Sequence, residues 1–309
     1  MDLSIIIVNW NTCRLLTQCL TSIYDKVHHY TFEVIVVDNA STDQSVVTIR
    51  QQFPQVRLVE NNENMGFAGA NNQGLAIAQG RYVLLLNSDT IVLPAAFDDM
   101  VRFADQHPEA GMIGCKLLNE DGSLQESWAA FPTFWSELTG RLQRHRQLID
   151  ETQGVFEVDW VGGACLLARA SALATVGFLD DSYFMYSEET DWCFRVRQQG
   201  WKIYYLAEAK IIHLGGGSAN RASLPQLVRL YESKIRFFDK HYGKVQATSL
   251  RYGLALANSV GLIRRALGSF RSSSQQQSES GQRITVQWQL IKHLLRGPVS
   301  PSKQDIRMG

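Results

Sequence analysis

The sequence predicts an α/β fold built on a mostly parallel central sheet with helices on both faces. Three observations lead there. Short β-branched runs alternate with helix-length segments through the first half of the chain, the strand candidates are apolar on both faces, and polar clusters stand at strand ends rather than within strands. With 309 residues, 45% hydrophobic and 19% charged, the chain is long enough for a full α/β core and one smaller appended region.

The first strand is expected at Leu3 to Val8, a continuous apolar, β-branched run with no polar alternation. Further strands are expected at Glu33 to Val37, Arg57 to Val59 and Arg81 to Leu86, with helices between them near 12–27, 42–52 and 67–79. In open sheets of this kind ligands sit beyond the carboxyl ends of the strands. The clusters Asn9-Trp10-Asn11, Asp38-Asn39 and Asn87-Ser88-Asp89 are therefore expected to converge on one crevice. The second half is more mixed. It shows a strand-like Ala164 to Leu167, a helix near Thr190 to Gln199 and a strand-like Ile203 to Leu206.

The character changes after about residue 240. Formal charge is balanced over the whole chain, yet residues 241–309 hold ten Lys/Arg and two Asp/Glu, leaving twenty basic and twenty-eight acidic residues in the first 240. An acidic body thus carries a basic helical C-terminal extension, in which the Ser/Gln-rich stretch 272–282 reads as a linker. The apolar run Tyr252 to Ile263 is shorter than the ~20 residues needed to span a bilayer. Leu256, Val260, Ile263 and Leu267 share one helical face beside Arg264 and Arg265, and Ile284, Trp288, Ile291 and Leu295 repeat the spacing beside Lys292 and Arg296. Apolar stripes edged with cations suit an anionic membrane surface. The same stripes suit packing on the body or on a second copy in a homodimer.

Five cysteines (Cys13, Cys19, Cys115, Cys165, Cys193) are odd in number, widely spaced and without a C-x-x-C pair, which argues against a disulfide framework and a zinc knuckle. A reducing compartment follows as the expectation. The first residues lack a basic segment before the apolar run, so a signal peptide is not expected and the body is placed in the cytoplasm, peripheral at the inner membrane face.

Asp89 directly follows Tyr82-Val83-Leu84-Leu85-Leu86 and two polar residues, so it stands at a strand exit facing the crevice. There a carboxylate either helps hold a divalent metal with phosphate oxygens or closes a local turn or helix cap. Four motifs in order extend the pattern: Ser4-Ile5-Ile6-Ile7-Val8-Asn9-Trp10-Asn11, Val34-Ile35-Val36-Val37-Asp38-Asn39-Ala40-Ser41-Thr42-Asp43, Asn64-Met65-Gly66-Phe67-Ala68-Gly69-Ala70-Asn71-Asn72 and Leu86-Asn87-Ser88-Asp89. Together they resemble the family-2 glycosyltransferases, in particular the bacterial rhamnosyltransferase-like branch, over roughly residues 3–240.

The resemblance implies a GT-A-like catalytic domain over 1–240, with a nucleotide-sugar half at 1–110 and an acceptor half at 111–240. It implies nucleotide binding by Asn9, Asn11, Asp38, Asn39, Asp43, Gly66, Asn71, Asn87 and Ser88. Asp38 matches the acid that binds base or ribose. Chemistry permits this, since a carboxylate accepts from a base N–H or a ribose hydroxyl; the lesser alternative for Asp38 is to cap the following helix. Asn87-Ser88-Asp89 matches the family's Asp-x-Asp metal motif with Asn in first place, which leaves Asp89 as the charged ligand of Mg2+ or Mn2+.

Downstream, Phe184 to Arg195 (FMYSEETDWCFR) resembles the family's acidic motif at a helix start, whose second acid is the general base. Glu189 takes that position, with Glu188 beside it and Asp191 as a rival. An acceptor hydroxyl must lose a proton as it attacks the anomeric carbon opposite the leaving group, so a single displacement inverts configuration. Crowded carboxylates also hold protons more tightly. The other reading is a solvated helix N-terminus enriched in acids for dipole reasons. His213, before Gly215-Gly216-Gly217-Ser218, matches a position that completes the metal site, and as a neutral ligand it implies activity falling at acidic pH. By itself a histidine there is as readily a packed residue. Trp160, Gly162 and Gly163 resemble the stretch leading to the acceptor pocket, with core packing the alternative for Trp160 and for Trp192.

The expected activity is inverting transfer from a nucleotide-diphospho-sugar, dTDP-rhamnose or UDP-hexose in type, to a glycan or lipid-linked acceptor in surface polysaccharide synthesis. A nucleotidylyltransferase would need a glycine-rich basic loop, which residues 9–14 (NWNTCR) lack, and no dinucleotide or P-loop motif occurs. Nucleic acid is not an expected partner. A scaffold that retains the fold without the chemistry remains the other alternative.

Overall fold

The computed structural model describes residues 1–139, 154–215, 223–269 and 274–297. These elements follow in order: β1 (Leu3–Asn9), α1 (Cys13–Lys26), β2 (Phe32–Asp38), α2 (Ser45–Gln52), β3 (Arg57–Glu60), α3 (Gly66–Ile77), β4 (Tyr82–Asn87), β5 (Thr90–Val92), α4 (Ala96–Gln106), β6 (Ala110–Leu118), β7 (Leu124–Gln125), β8 (Trp128–Ala129), α5 (Phe134–Thr139), β9 (Val155–Glu157), β10 (Trp160–Val161), β11 (Cys165–Arg169), α6 (Ala170–Val176), α7 (Glu188–Gln198), β12 (Lys202–His213), α8 (Leu224–Tyr242), α9 (Lys244–Ser269) and α10 (Ser274–Arg296).

The chain forms two compact units. In the first, the main sheet runs β3-β2-β1-β4-β11-β6-β12-β5. The pairs β1–β2, β1–β4, β2–β3 and β6–β12 are parallel, while β11 runs antiparallel between β4 and β6. The sheet is thus parallel through its first four strands and mixed beyond. Alternation along each strand sends side chains to opposite faces, and both faces are dry. Ile5, Ile7, Val34, Val36, Leu84 and Leu86 pack with Leu16, Leu20 and Ile23 of α1 and Phe97, Met100 and Val101 of α4. Ile6, Ile35, Val37, Val83 and Leu85 pack with Leu75 of α3 and Trp192, Cys193 and Val196 of α7. Two helix layers on one sheet explain why these strands read as unbroken apolar runs.

The second unit takes in residues 132–139 and the described chain from 223 onward, so α8 joins α9 and α10 instead of closing the catalytic body at residue 240. Ser223 and Gln226 form a reciprocal capping box at the start of α8. Leu250, Leu254, Leu290 and Leu294 are buried, and one polar knot ties the three helices: Arg251 of α9 donates twice to Glu232 of α8, at 3.0 and 2.9 Å, and His293 of α10 meets Glu232 Oε1 at 2.8 Å. Burial pushes the Glu232 carboxyl up, but the bonds from His293 and Arg251 outweigh it and hold the pKa at about 2.

The linker expected at 272–282 is not one where it is described. From Ser274 the chain is helical, and α10 continues unbroken to Arg296. Ser and Gln are acceptable helix formers when packing elsewhere on the helix anchors it. The proposed α10 stripe also divides: Ile291 is buried, while Trp288 and Leu295 are exposed. On α9, Leu256, Val260 and Ile263 are exposed together with Tyr252, and the Leu267 side chain lies outside the described residues. Among the described residues no helix is long and apolar enough to cross a membrane.

Candidate active site

The ends of β1, β2 and β4 meet, as the parallel register requires: Asn9 lies opposite Asp38 in the β1–β2 pair, and Val8 opposite Asn87 in the β1–β4 pair. Asn9 Nδ2 donates to Asp38 Oδ1 at 2.9 Å and to Ser41 Oγ at 3.1 Å, while Asn9 Oδ1 accepts from Thr12 Oγ1 at 2.6 Å. Thr12 Oγ1 in turn lies 2.9 Å from Ser88 Oγ. The other Asp38 oxygen accepts from Ser41 N at 2.9 Å, so Asp38 pins the turn after β2 and caps no helix. Asn11, at a left-handed φ of 55°, accepts from Thr42 N at 2.7 Å. Asp43 accepts from Cys13 N and Ser45 N, both at 3.0 Å. Desolvation raises the Asp43 pKa, yet its bonds from Ser45 and Cys13 outweigh that and leave it lowered. Asn39 donates to Asn64 Oδ1 and accepts from Met65 N, which ties the β2 end to the start of α3.

Two expected nucleotide contacts prove to be internal. Asn71 is 1% exposed and its amide donates to Phe67 O one turn back in α3, so the helix keeps it from a ligand. Gly66 has φ +74°, and a Cβ there would occupy the space of the Phe184 carbonyl oxygen, which accepts from Phe67 N at 2.7 Å. Gly66 therefore docks the segment leading into α7 and is not open to a donor.

Asp89 follows β4 in a short turn into β5, and antiparallel pairing sets His213 of β12 directly across from Thr90. That register brings His213 Nε2 to 3.2 Å from Asp89 Oδ1 and to 3.2 Å from Asn87 Nδ2. The chain after His213 wraps the acid: Leu214 N donates to Asp89 O at 2.8 Å, and a Cβ on Gly215 would collide with Asp89 Oδ2. The rest of the glycine-rich loop, Gly216 to Ser218, lies outside the described residues. Among the described residues no three metal-ligating acids, cysteines or histidines cluster. One carboxylate and one imidazole nitrogen at this separation fit Mg2+ or Mn2+ only where substrate phosphates and water complete an oxygen-rich shell.

Across the site, Tyr186 (φ 75°) and Ser187 (φ 65°) are consecutive left-handed residues that turn the chain into α7. Such strain at non-glycine residues persists only where surrounding structure enforces it. Glu188, Glu189 and Asp191 then fill the first turn of α7, where the helix dipole favours negative charge. Their situations differ. Asp191 is fully buried and accepts from Arg195 Nε at 2.8 Å, and Arg195 also donates to Val176 O and Phe178 O, so the rival base is held in a structural ion pair. Glu188 Oε2 and Glu189 Oε2 are buried with no hydrogen-bond partner among the described residues. Desolvation pushes both carboxyls above the ordinary glutamate value, and the Glu189 charge pushes Glu188 further.

Gly163 faces Glu189 and Phe67, leaving space beside the acid, and Gly162 N donates to Ser127 O at 2.8 Å. Trp160 is half-buried and its indole N–H donates to Ala130 O at 3.0 Å. Trp192 is core, fully buried with its N–H on Gly177 O. Thr12 and Ser41, not among the expected site residues, complete the donor-side network; Thr12 stands beside the first motif and Ser41 within the second. Gln125, which meets His213 Nδ1 at 2.6 Å, belongs to no motif. The five cysteines are free thiols.

Comparison with known proteins identifies the family and the fold. The chain is 28% identical over 261 residues to the N-acetylglucosaminyl-diphospho-decaprenol L-rhamnosyltransferase of Mycobacterium tuberculosis, covering 76% of this chain and 84% of that one. It is 26% identical over 219 residues to the low-salt glycan biosynthesis hexosyltransferase of Haloferax volcanii, covering 69% and 67%. Among solved structures, a mannosyltransferase from Pyrobaculum calidifontis in complex with GDP-Man and Mn2+ shares the fold, with a TM-score of 0.58 at 17% identity over 97% of this chain and 88% of that one. The model of glycosyl transferase family group 2 matches residues 82–265, and that of glycosyl transferase family 2 matches residues 4–159. A nucleotidylyltransferase is thereby set aside, and the chain belongs to glycosyl transferase family 2.

Proposed function

We propose that this glycosyltransferase moves a sugar from a nucleotide-diphospho-sugar, of dTDP-rhamnose or UDP-hexose type, to a hydroxyl of a lipid-linked or growing surface glycan, with inversion and with a divalent metal in the donor site. The rhamnosyl- and hexosyltransferase relatives support the donor and acceptor classes. The observation that carries the reading is the meeting of Asp89 and His213 in the same unit as Glu188 and Glu189, each of which keeps one buried carboxyl oxygen without a partner among the described residues.

Asp89 and His213 would hold Mg2+ or Mn2+, and Asn87, Ser88, Asn11 and the turn from Asp38 to Asp43 would line the nucleotide. The bound metal supplies charge neutralisation for the departing diphosphate. Glu189, beside the space at Gly163, accepts the acceptor hydroxyl proton as the new C–O bond forms on one face of the anomeric carbon and the bond to the diphosphate breaks on the other. Glu188, buried beside it, holds its own proton as Glu189 ionises, because the Glu189 charge adds to desolvation. Trp160, Gly162 and Gly163 would border the acceptor.

The exposed stripe of Tyr252, Leu256, Val260 and Ile263, flanked by Arg264 and Arg265, supports attachment to an anionic membrane face, where a lipid-linked acceptor resides. Lys292, whose ammonium lies 5.1 Å from the Trp288 ring centre, adds a second cationic and aromatic point. The test is transfer by purified protein with a panel of nucleotide-sugars and Mn2+. Wild type turns over one donor, and Asp89→Ala loses activity about a hundredfold or more. Nucleotide binding without transfer from any donor would mark a scaffold instead. In flotation with anionic vesicles the wild type rises and Leu256→Asp does not; sedimentation as a dimer that Leu256→Asp dissolves would assign the stripe to a homodimer.

A further inference from the structure

His213 can face the donor site as a metal ligand only if its other ring nitrogen carries the proton, and the surroundings of that nitrogen extend well beyond the site. Nδ1 lies 2.6 Å from Gln125 Oε1. Gln125 Nε2 donates to Asn119 Oδ1 at 3.0 Å, and Asn119 Nδ2 donates to Ser123 Oγ at 2.9 Å. Ser123 Oγ donates to Asp121 Oδ1 at 2.5 Å, and Ser123 N donates to the same oxygen at 2.9 Å. All four residues belong to the hairpin that joins β6 to β7, closed by Asn119 N on Ser123 O at 2.8 Å and Gly122 N on Asn119 O at 2.9 Å.

We propose that this hairpin is a one-way hydrogen-bond relay, Asp121–Ser123–Asn119–Gln125, which fixes His213 as the Nδ1–H tautomer and so points the Nε2 lone pair at Asp89. The direction comes from its far end. An ionised carboxylate only accepts, and the bonds from the Ser123 hydroxyl and backbone N–H hold the Asp121 carboxyl below its ordinary value. The Ser123 hydroxyl must therefore spend its one hydrogen on Asp121 and accept from Asn119. That sets the Asn119 amide with oxygen toward Gln125, and the Gln125 amide with oxygen toward His213. Reversing the ring tautomer would place a lone pair against Gln125 Oε1 at hydrogen-bond distance. Relieving that by flipping both amides would bring Asn119 Oδ1 and Asp121 Oδ1 into competition for the single Ser123 hydrogen.

The alternative is real because Asp89 Oδ1, 3.2 Å from Nε2, would itself accept an Nε2–H. Asn87 Nδ2, also 3.2 Å from Nε2, would donate to a bare Nε2, so the donor site holds a partner for either tautomer and the relay selects between them. Gln125 is thus a positioning residue, acting on the metal through His213 and touching no substrate. Outer partners of metal-bound histidines are worth about 10–100-fold in metal affinity.

The inference rests on the metal reading proposed for Asp89 and His213, and two measurements keep the two apart. Nitrogen-15 NMR of the metal-free full-length protein at mildly alkaline pH reads the tautomer directly. Wild type and Gln125→Glu, whose carboxylate still accepts from Nδ1, should show Nδ1–H. Gln125→Leu should shift toward Nε2–H, and Ser123→Ala, remote from the ring, should give a mixture. Mn2+ titration in the presence of a nucleoside diphosphate should show affinity about tenfold or more weaker in Gln125→Leu and restored in Gln125→Glu. Nε2–H in the wild type, or an unchanged tautomer in folded Gln125→Leu and Ser123→Ala, overturns the relay. Failure of wild type to bind Mn2+ in the presence of a nucleoside diphosphate with Nδ1–H in place overturns the metal reading and leaves the relay standing.

Discussion

The two sides of the crevice bury polar groups in opposite ways. On the donor side, the buried Asn9, Asp38 and Asn39 are satisfied by hydrogen bonds among themselves and with Thr12, Ser41, Asn64 and Met65. At the start of α7, Glu188 is buried and Glu189 half-buried, yet each leaves a buried oxygen without a partner among the described residues. A satisfied cluster stabilises its own geometry and shapes a site by rigidity. An unsatisfied buried carboxyl costs free energy, of order 1–3 kcal/mol for the missing bond, and natural sequences retain that cost mainly where chemistry needs it.

Exchanging each carboxyl for its amide should break the comparison most sharply. Glu189→Gln removes the proton acceptor and should lower kcat about 10²–10⁴-fold. Its melting temperature should hold or rise, because a buried group that resists ionisation becomes permanently neutral. Asp38→Asn should do the reverse. One of its two donors, Asn9 Nδ2 or Ser41 N, would then face an amide NH2, costing about 1–3 kcal/mol of stability. Calorimetry and single-turnover rates on the two variants check this, and matching losses in both quantities for both variants would erase the distinction.

A smaller effect is expected where the two sides touch. Gly66 begins α3 at φ +74° with the Phe184 carbonyl against its Cα, two elements on from the β2 end and four residues before Glu188. Gly66→Ala adds a left-handed penalty of about 1–2 kcal/mol and displaces Phe184. Stability should fall by at least that much, and kcat should fall more than nucleotide affinity, since the displaced segment aims the glutamates. Thermal unfolding and nucleotide calorimetry separate the two.

How much of this was legible in the sequence follows the same division. Strands β1 to β4 and helices α1 to α3 were readable because periodicity and turn chemistry are local, and the strand-end clusters met where the parallel register sends them. The failures were of burial. Asn71 and Asn11 are the same residue type in the third and first motifs, yet one is sealed by its own helix and the other is exposed on a left-handed turn. Asp191 looked equivalent to Glu189 until Arg195, one helical turn on, was seen to take it. Gln125 left no trace because its role depends on a strand pairing, β6 with β7, that two residues of β7 cannot announce. The helix through Ser274 to Gln282 was hidden by a composition that usually marks linkers.

The finest test concerns the coupling between the glutamates. Both carboxyls lie above the ordinary value of 4.5, chiefly through desolvation, and Glu188 also through the charge of Glu189. A carboxyl whose folded pKa is raised holds its proton in the native state at a pH where the unfolded chain has released it. The native state then binds more protons, so stability is lost as pH rises from 4.5 toward the folded pKa. Activity runs the other way, because the base must be ionised, and its acid limb should therefore lie above the range of a free glutamate. Glu188→Gln replaces the neighbouring carboxyl, still protonated as Glu189 ionises, and keeps the burial. The acid limb of kcat/KM should therefore stay in place, because desolvation sets the Glu189 shift, while the melting temperature near neutrality should rise relative to that at pH 4. A limb that moves to lower pH would mean that Glu188 carries the charge first and that the order of the two ionisations is the reverse.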